Sequence, residues 1–370
     1  MIYIDRLIVI FLLGGFALLT MLVLFNPLKV NKKANIWLGL FLFLWGTFWI
    51  DEALDILEIQ SVSRSFSFVL NFLQFFTPLT FYYSVVHFTN PTFSFSLKEV
   101  KHLPLAFLFL VLLSLSFFYD KADKNSLTTW LTVIMLIQSL FYALYSCEII
   151  NRHQKKIQQF SSDTYPISLN WLKYIAYIIL GSGIIITIYN IIFIAERPSI
   201  YMNFAFLIAI YFIAYYSLKQ EEVYPIEPQQ AESIFLLDEE SKTSEPQKFR
   251  LLGEEETELI KQKLLVIMES EAPYLDGDLN LIKLSRLMGV TPHQLSYVIN
   301  TGFNENFFQF INKYRIEKAK QLLGDSKNNN LSILGIAFES GFNSKTSFNI
   351  TFKKFTDLTP SEFKKKSSDL

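Results

Sequence analysis

Two sets of side chains near the end of the chain each recur at the spacing i, i+3, i+4, i+7, which places each set on one face of a helix. The first set is His293, Ser296, Tyr297 and Asn300, and the second set is Thr346, Asn349, Ile350 and Lys353. Imidazole, hydroxyl and amide groups can hydrogen bond to the base edges of a nucleic acid, and an ammonium group can pair with a phosphate. The alternative to a DNA-contacting face, for either helix taken alone, is an ordinary polar face in contact with solvent.

Capping and turn residues define the helices that carry the first of these faces. Asn280 is a favourable N-cap, and Gly289 is suited to the turn that ends the helix it starts. Thr291 caps a second helix, with Pro292 at the first helical position, where proline is favoured. The apolar residues predicted to face inward are Leu281, Leu284, Leu287, Met288, Leu295, Val298 and Ile299. The pattern predicts two short helices joined by a tight turn.

The same order of elements returns after a long helix predicted over residues 306–323. Asn304 stands before that helix where a glycine is expected, and asparagine tolerates the left-handed conformation. Gly341 then forms a turn and Ser344 caps a helix over 345–355. The aromatic residues predicted to face inward on that helix are Phe348, Phe352 and Phe355.

Residues 272–366 resemble the AraC/XylS family of bacterial transcription regulators. The motifs that carry the resemblance are Tyr314-Arg315-x-x-x-Ala319, Ile336-Ala337 to Gly341-Phe342, Ser347-Phe348, Phe352-Lys353 and Thr359-Pro360. The resemblance implies two helix-turn-helix units that read successive major grooves on one face of DNA. The residues that it assigns to the two grooves are His293, Ser296 and Tyr297 in the first, and Lys345, Thr346, Asn349 and Ile350 in the second.

Two positions depart from the family's pattern. Members often carry arginine where this chain has Tyr297 and Ile350, and arginine commonly reads guanine. Isoleucine can instead touch a thymine methyl group, so we expect a preference for A·T at that base step. Because of both changes, we expect phosphate contacts to contribute more to DNA binding than base contacts do. The candidates for phosphate contacts are Lys345, Lys353 and Lys354.

The first 218 residues have a different character from the end of the chain. With 51% hydrophobic residues, the sequence is too apolar for an ordinary soluble protein of 370 residues. A bilayer core of about 30 Å needs about 20 apolar residues per helix. Seven stretches fit this requirement, at 7–25, 34–50, 65–89, 103–119, 125–147, 174–195 and 198–218. They predict a seven-helix transmembrane bundle, which serves as a sensor or an anchor.

The orientation of this bundle follows from the Lys and Arg residues in short loops. With the N-terminus outside, the inner loops hold Lys29, Lys32, Lys33, Lys98, Lys101, Arg152, Lys155 and Lys156. The outer segments hold fewer, namely Arg6, Arg64, Lys121, Lys124 and Arg197. Seven spans then leave the C-terminal domain in the cytoplasm, where DNA lies. We therefore expect a multi-pass protein of the bacterial inner membrane.

Asp51, Glu52 and Asp55 lie at the outer end of the second predicted span. They can mark the boundary with water, or they can form an acidic mouth that binds a cationic ligand or a metal. We recognise neither the spacing of a metal site nor a pair of catalytic carboxylates elsewhere in the chain. No catalytic residue, metal or cofactor is therefore expected, and the protein is not expected to be an enzyme.

Charge divides the remainder of the chain. Residues 219–270 carry 6 Lys and Arg against 13 Asp and Glu, a net charge of −7, whereas residues 279–366 carry 13 against 6, a net charge of +7. The part of the acidic stretch before Glu254, which contains Pro225, Pro228 and Pro246, does not bury enough apolar surface to fold by itself, whereas residues from Glu254 onward have helical spacing. We predict an all-α chain with a transmembrane domain at 1–218, a flexible linker at 219–253 and a DNA-binding domain at 254–370.

The predicted function is that of a membrane-bound transcription regulator that couples a membrane-borne or extracellular signal to binding of double-stranded promoter DNA. One alternative is a membrane anchor whose DNA-binding domain is released by proteolysis, and another is a transporter-like protein fused to a DNA-binding module. Besides DNA and the lipid bilayer, the partners left open are RNA polymerase, a second copy of the chain, and an unidentified small-molecule or membrane signal.

Overall fold

The structure is a computed structural model that describes residues 2–26, 29–58, 63–118, 121–192, 200–220, 253–325 and 330–368. Within these ranges the chain forms helices and no β-strand, apart from one isolated antiparallel bridge between Ser161 and Asn280. The predicted all-α fold class is confirmed for this part of the chain. The predicted linker 219–253 lies almost entirely outside the described residues.

The chain divides into two compact units. The first unit combines Met1–Asn151 with Leu169–Val223, and the second combines Arg152–Ser168 with Tyr224–Leu370. The second unit therefore contains the connection between two helices of the apolar half as well as the basic C-terminal region. Sequence patterns did not predict this grouping.

The first unit consists mainly of apolar helices. They are α1 (Ile2–Phe25), α2 (Lys32–Gly46), α3 (Ile50–Ile56), α4 (Arg64–Gln74), α5 (Thr77–Thr89), α6 (Leu103–Phe118), α7 (Lys121–Ile157), α8 (Asn170–Ile192) and α9 (Ile200–Lys219). Helix α1 packs against α2 and α9, and α2 also packs against α5. Pro78 lies in the first turn of α5, so the third apolar stretch is two helices rather than one.

Among the described residues, six helical segments are long and apolar enough to cross a membrane, one fewer than the seven predicted. They are Ile4–Phe25, Lys32–Ile56, Arg64–Thr89, Glu99–Phe118, Leu127–Ile157 and Ile200–Lys219. The predicted sixth span coincides with α8, whose apolar described part, Asn170–Ile185, is shorter than a full span. The seven-helix count is therefore not confirmed.

The second unit is built from seven helices in its C-terminal part, as far as the structure describes it. They are α10 (Glu254–Ser270), α11 (Leu281–Met288), α12 (Pro292–Gly302), α13 (Phe307–Gly324), α14 (Ile333–Glu339), α15 (Lys345–Thr356) and α16 (Pro360–Ser368). Helices α11 and α12 form the first helix-turn-helix unit, α14 and α15 form the second, and α13 connects them. Helix α10 packs against α12, and α16 packs against α13.

Apolar contacts hold the second helix-turn-helix unit on the connecting helix. The buried residues of this core are Ile316, Ala319, Leu323, Ile336, Ala337, Phe342, Phe348 and Phe352. Phe355, predicted to face inward, is half-buried against the same core. In the first helix-turn-helix unit the prediction for Leu287 was wrong, since its side chain is 45% exposed. Helix α11 is only eight residues long, and Leu281, Leu284 and Met288 already form its buried face.

Candidate nucleic-acid interface

The first recognition helix, α12, begins at a reciprocal cap. The Thr291 hydroxyl accepts a hydrogen bond from the Gln294 backbone N–H at 3.2 Å, and the Gln294 side chain accepts one from the Thr291 N–H at 2.9 Å. The three residues predicted to face inward, Leu295, Val298 and Ile299, are completely buried. The face predicted to contact DNA consists of half-buried His293, Ser296 and Tyr297 and exposed Asn300. The Asn300 amide donates a hydrogen bond to the Ser296 hydroxyl at 3.4 Å, so these two side chains lie side by side.

The second recognition helix, α15, presents the more exposed face. Ser344 caps it as predicted, accepting from the Ser347 backbone N–H at 3.1 Å. Among the predicted contact residues Asn349 is half-buried, and the others are exposed, namely Lys345, Thr346, Ile350, Lys353 and Lys354. The Ile350 side chain is 52% exposed and is therefore accessible to a partner. The Lys354 ammonium lies 5.0 Å from the centre of the Phe308 ring, which fixes this charge beside the connecting helix.

The turn of the second helix-turn-helix unit requires glycine for two reasons. Gly341 has φ +85°, a conformation that residues with a Cβ rarely adopt. A Cβ at this position would also collide with the carbonyl of Tyr274 and lie 2.9 Å from the Cα of Leu275. The turn is therefore pressed against the segment that precedes the first helix-turn-helix unit.

Arg315, on α13, ties that same segment to the connecting helix. Its guanidinium is buried and donates to the carbonyls of Tyr274 at 2.7 Å and Asp276 at 2.8 Å. Burial lowers the pKa of Arg315 to about 10, and the carboxylates of Asp163, Asp276 and Asp278 act in the opposite direction. The sequence identifies Arg315 only as part of the motif Tyr314-Arg315-x-x-x-Ala319, whereas the structure shows that its side chain joins two parts of the domain.

A short stretch, residues 158–163, lies against the DNA-binding domain within the second unit, and we call it the docking segment. The carbonyl of Phe160 accepts a hydrogen bond from the backbone N–H of Leu281 at 2.9 Å. The carbonyl of Gln158 accepts one from the backbone N–H of Phe308 at 3.0 Å. These contacts reach the N-terminal ends of two helices, α11 and α13.

Side chains extend the same contact. The Ser162 hydroxyl donates to the Leu279 carbonyl at 2.5 Å, and the Asn312 amide donates to the Ser162 carbonyl at 2.8 Å. The Ser347 hydroxyl, on the second recognition helix, donates to the Asp163 carboxylate at 2.6 Å. The docking segment thus bonds to the first helix-turn-helix unit, the connecting helix and the second recognition helix at once.

The residues that follow the docking segment pack back onto the helix that precedes it. A ring nitrogen of His153 lies 2.9 Å from the Ile167 carbonyl, and the Gln154 amide donates to the Ser168 carbonyl at 3.0 Å. The stretch 152–168 therefore folds back on the end of α7. Sequence reasoning assigned it only to an inner loop, and its polar composition carries no signal that would have identified its docking site.

The three acidic residues predicted as a ligand mouth lie on α3 in the first unit and line a cavity of about 540 Å³. Glu52 accepts a hydrogen bond from the amide of buried Asn203 at 3.3 Å. Asp51 and Asp55 are exposed on the same short helix. Their contact with a ligand stays a prediction, as does the contact of the recognition faces with DNA.

Comparison with known proteins gives matches in the C-terminal region. The family described as "Helix-turn-helix domain" matches residues 284–366. HTH-type transcriptional regulators of Staphylococcus aureus, strains COL and N315, are each 37% identical over 87 residues, which are 24% of this chain and 11% of the relative. The HTH-type transcriptional regulator GlxA of Rhizobium meliloti is 29% identical over 104 residues, which are 28% of this chain and 31% of the relative.

These matches cover only part of the relatives as well as part of this chain. The chain spans about a tenth of the length of the staphylococcal regulators and less than a third of GlxA. No solved structure matches the chain. The comparisons therefore bear on the DNA-binding domain alone.

Proposed function

We propose, starting from the AraC-type helix-turn-helix domain that residues 284–366 form, that the chain is a membrane-bound transcription regulator. In this proposal the apolar half senses a membrane-borne or extracellular signal, and the C-terminal domain binds promoter DNA. The fold of the domain supports DNA binding, because both helix-turn-helix units have capped recognition helices with their apolar residues buried and a polar or basic face exposed.

Placement in a membrane is supported by what the apolar helices expose. Helix α1 has two charged residues, Asp5 and Arg6, near its start, and then continues to Phe25 without a charge. Its exposed large apolar residues include Ile10, Phe11, Leu18 and Met21, each more than half exposed. An apolar surface of this kind is unfavourable in water and favourable against lipid.

The observation that carries the coupling is the position of the docking segment. Residues 158–163 follow α7 directly, since that helix ends at Ile157, and α8 begins soon after at Asn170. The same residues bond to both helix-turn-helix units. A shift of α7 against α8 would therefore act on the arrangement of the two recognition helices without passing through the acidic linker.

The docking segment also supports the proposed orientation. Arg152, Lys155 and Lys156 belong to the loop that the distribution of positive charge assigns to the inside. The structure groups this loop with the DNA-binding domain, which has to face the cytoplasm to reach DNA. We therefore place the N-terminus outside and the C-terminal domain inside, in the inner membrane of a bacterium.

The proposed DNA contacts follow the exposed faces of α12 and α15. His293, Ser296, Tyr297 and Asn300 enter the first major groove, and Lys345, Thr346, Asn349 and Ile350 the second. Lys353 and Lys354 bind phosphates. Release of the domain by proteolysis is less well supported, because the released fragment would have to leave the docking segment. A free C-terminal fragment on immunoblots of induced cells would favour release.

Salt dependence of promoter binding tests the DNA contacts. The full chain in lipid nanodiscs is titrated with a promoter fragment over a range of salt concentrations. Replacing Lys353 and Lys354 by alanine should reduce the slope of log K against log salt by about two, since two phosphate contacts are lost. The matched control replaces Lys313 and Lys320, which pair with Glu305 and Glu317 on or beside α13. A salt-independent affinity, or equal losses in both pairs, would contradict the proposal.

A further inference from the structure

The cavity of about 540 Å³ in the first unit has the properties of a ligand site. Its volume falls within the range of about 300–1,000 Å³ over which small-molecule sites enclose most of their ligand. Its lining comes from helices that are far apart in the chain, including α2, α3, α7 and α9. A ligand bound there would therefore contact several helices at once.

The wall of the cavity is a fixed group of aromatic rings. The ring of Phe206 meets Trp49 at a centroid distance of 5.1 Å and Trp45 at 5.8 Å, both edge to face. The indole N–H of Trp49 donates to the Asn203 side chain at 2.9 Å, which fixes the ring in place. Faces of tryptophan rings attract cations, and an ammonium group is attracted more strongly when it is desolvated.

The described part of the lining is acidic. Asp51, Glu52 and Asp55 contribute carboxylates, and none of the described residues that line the cavity is a Lys, Arg or His. Glu52 is positioned by the Asn203 amide, the same side chain that holds Trp49. One buried asparagine thus sets both a carboxylate and an aromatic ring around the same space.

A separate observation also indicates a ligand. Gln138, on α7, lines the cavity and is only 3% exposed, yet its Oε1 has no hydrogen-bond partner among the described residues. A buried acceptor without a donor is unfavourable, and a ligand N–H would satisfy it.

We propose that this cavity binds an organic ammonium cation with an apolar body, whose charge faces the carboxylates of α3 and whose N–H reaches Gln138. A metal ion fits less well, because the described residues contain no group of three His, Cys, Asp or Glu side chains that could hold one. An anion would be repelled by the carboxylates, and a neutral apolar ligand would make no use of them. That this cation is the signal rests on the proposed function; the binding itself does not.

Binding is measured by calorimetry on the full chain in lipid nanodiscs, without DNA. The probes are 2-phenylethylammonium, the neutral 2-phenylethanol of similar shape, the anion 3-phenylpropionate, and Mg²⁺. The ammonium should bind at least about tenfold more tightly than the alcohol, and the anion should not bind. Equal binding of the alcohol, or competition by Mg²⁺ at comparable concentrations, would overturn the proposal.

Substitutions of Glu52 and Gln138 test the contribution of each residue to binding. Glu52→Gln should weaken ammonium binding by about tenfold and leave binding of the alcohol unchanged, since it removes only the charge. Gln138→Leu should weaken binding of the primary ammonium more than binding of a trimethylammonium analogue, which has no N–H. Glu58→Gln is the matched control, because Glu58 follows α3 and is not among the lining residues. An unchanged affinity in Glu52→Gln would overturn the site.

The two proposals fail in different ways. Ammonium binding without any change in promoter affinity would leave the site intact and remove its role as the signal. Salt-dependent promoter binding without ammonium binding would leave the regulator intact and overturn the ligand site.

Discussion

The hydroxyl of Ser347 donates a hydrogen bond of 2.6 Å to the carboxylate of Asp163, although 184 residues separate them. Ser347 lies in the first turn of the second recognition helix and is 4% exposed, and Asp163 belongs to the docking segment. A carboxylate beside the N-terminus of a helix is also favoured by the helix dipole. This bond joins the docking segment to a helix proposed to read DNA.

Removing the Ser347 hydroxyl should destabilise the second unit of the chain. We expect Ser347→Ala to lower the free energy of unfolding by about 1 kcal/mol, because the Asp163 carboxylate loses a donor. A double-mutant cycle with Asp163→Ala isolates the pairwise energy, measured by urea unfolding of the full chain in detergent. Thr346→Ala, one position earlier and exposed, is the control and should be neutral. A coupling energy near zero would show that the bond does not hold the segment.

A disulfide should be able to lock the docking segment in place. Ser161 and Asn280 form an isolated antiparallel bridge flanked by the hydrogen bond from Leu281 to Phe160, and Cα atoms in pairs of this kind lie about 4.5 Å apart. That separation suits a disulfide. In a Cys147→Ala background, Ser161→Cys with Asn280→Cys should form an intramolecular bond, seen as a shift in gel mobility.

The oxidised, locked protein should bind promoter DNA with an affinity that does not change when 2-phenylethylammonium is added. The affinity of the reduced protein should still change. The single variant Asn280→Cys controls for loss of the N-cap at that residue. If the oxidised and reduced forms respond alike, the segment does not transmit the signal.

Replacing Ile350 by arginine should change the base preference of the second helix-turn-helix unit. The Ile350 side chain is 52% exposed on α15, so a longer side chain meets no packed neighbour that would oppose it. Ile350→Arg should introduce a preference for guanine at one base step, with discrimination of about 1–3 kcal/mol. Selection from a randomised DNA library measures this. Leu334→Arg, an exposed change on α14 outside the recognition helix, should leave the selected sequence as it was.

Loss of the Arg315 guanidinium should be costly for the second unit. Arg315→Met leaves the carbonyls of Tyr274 and Asp276 without their donor, so we expect a loss of stability on the order of 2–3 kcal/mol. Lys320→Met on the same helix removes a surface ion pair with Glu317 and should cost less than about 0.5 kcal/mol. Thermal unfolding compares the two, and similar melting temperatures would contradict the role assigned to Arg315.

Local structure could be predicted because it depends on neighbours in the sequence. Asn280, Thr291 and Ser344 cap their helices as expected, since an N-cap side chain bonds to a backbone N–H three residues later. Asn304 and Gly341 have the positive φ that their turns require. The sequence also determined the all-α class and the character of the C-terminal domain, because apolar residues at helical spacing have to face a common core.

Only the tertiary structure decided which distant groups meet. The docking of residues 158–163 and the carbonyls held by Arg315 depend on packing between parts of the chain that no local pattern relates. Leu287 was wrongly predicted to be buried, because the width of a helix's buried face depends on what packs against it. The acidic residues of α3 were visible in the sequence, but Asn203, Gln138 and the tryptophan wall joined them only through the fold, since a cavity exists only between packed helices.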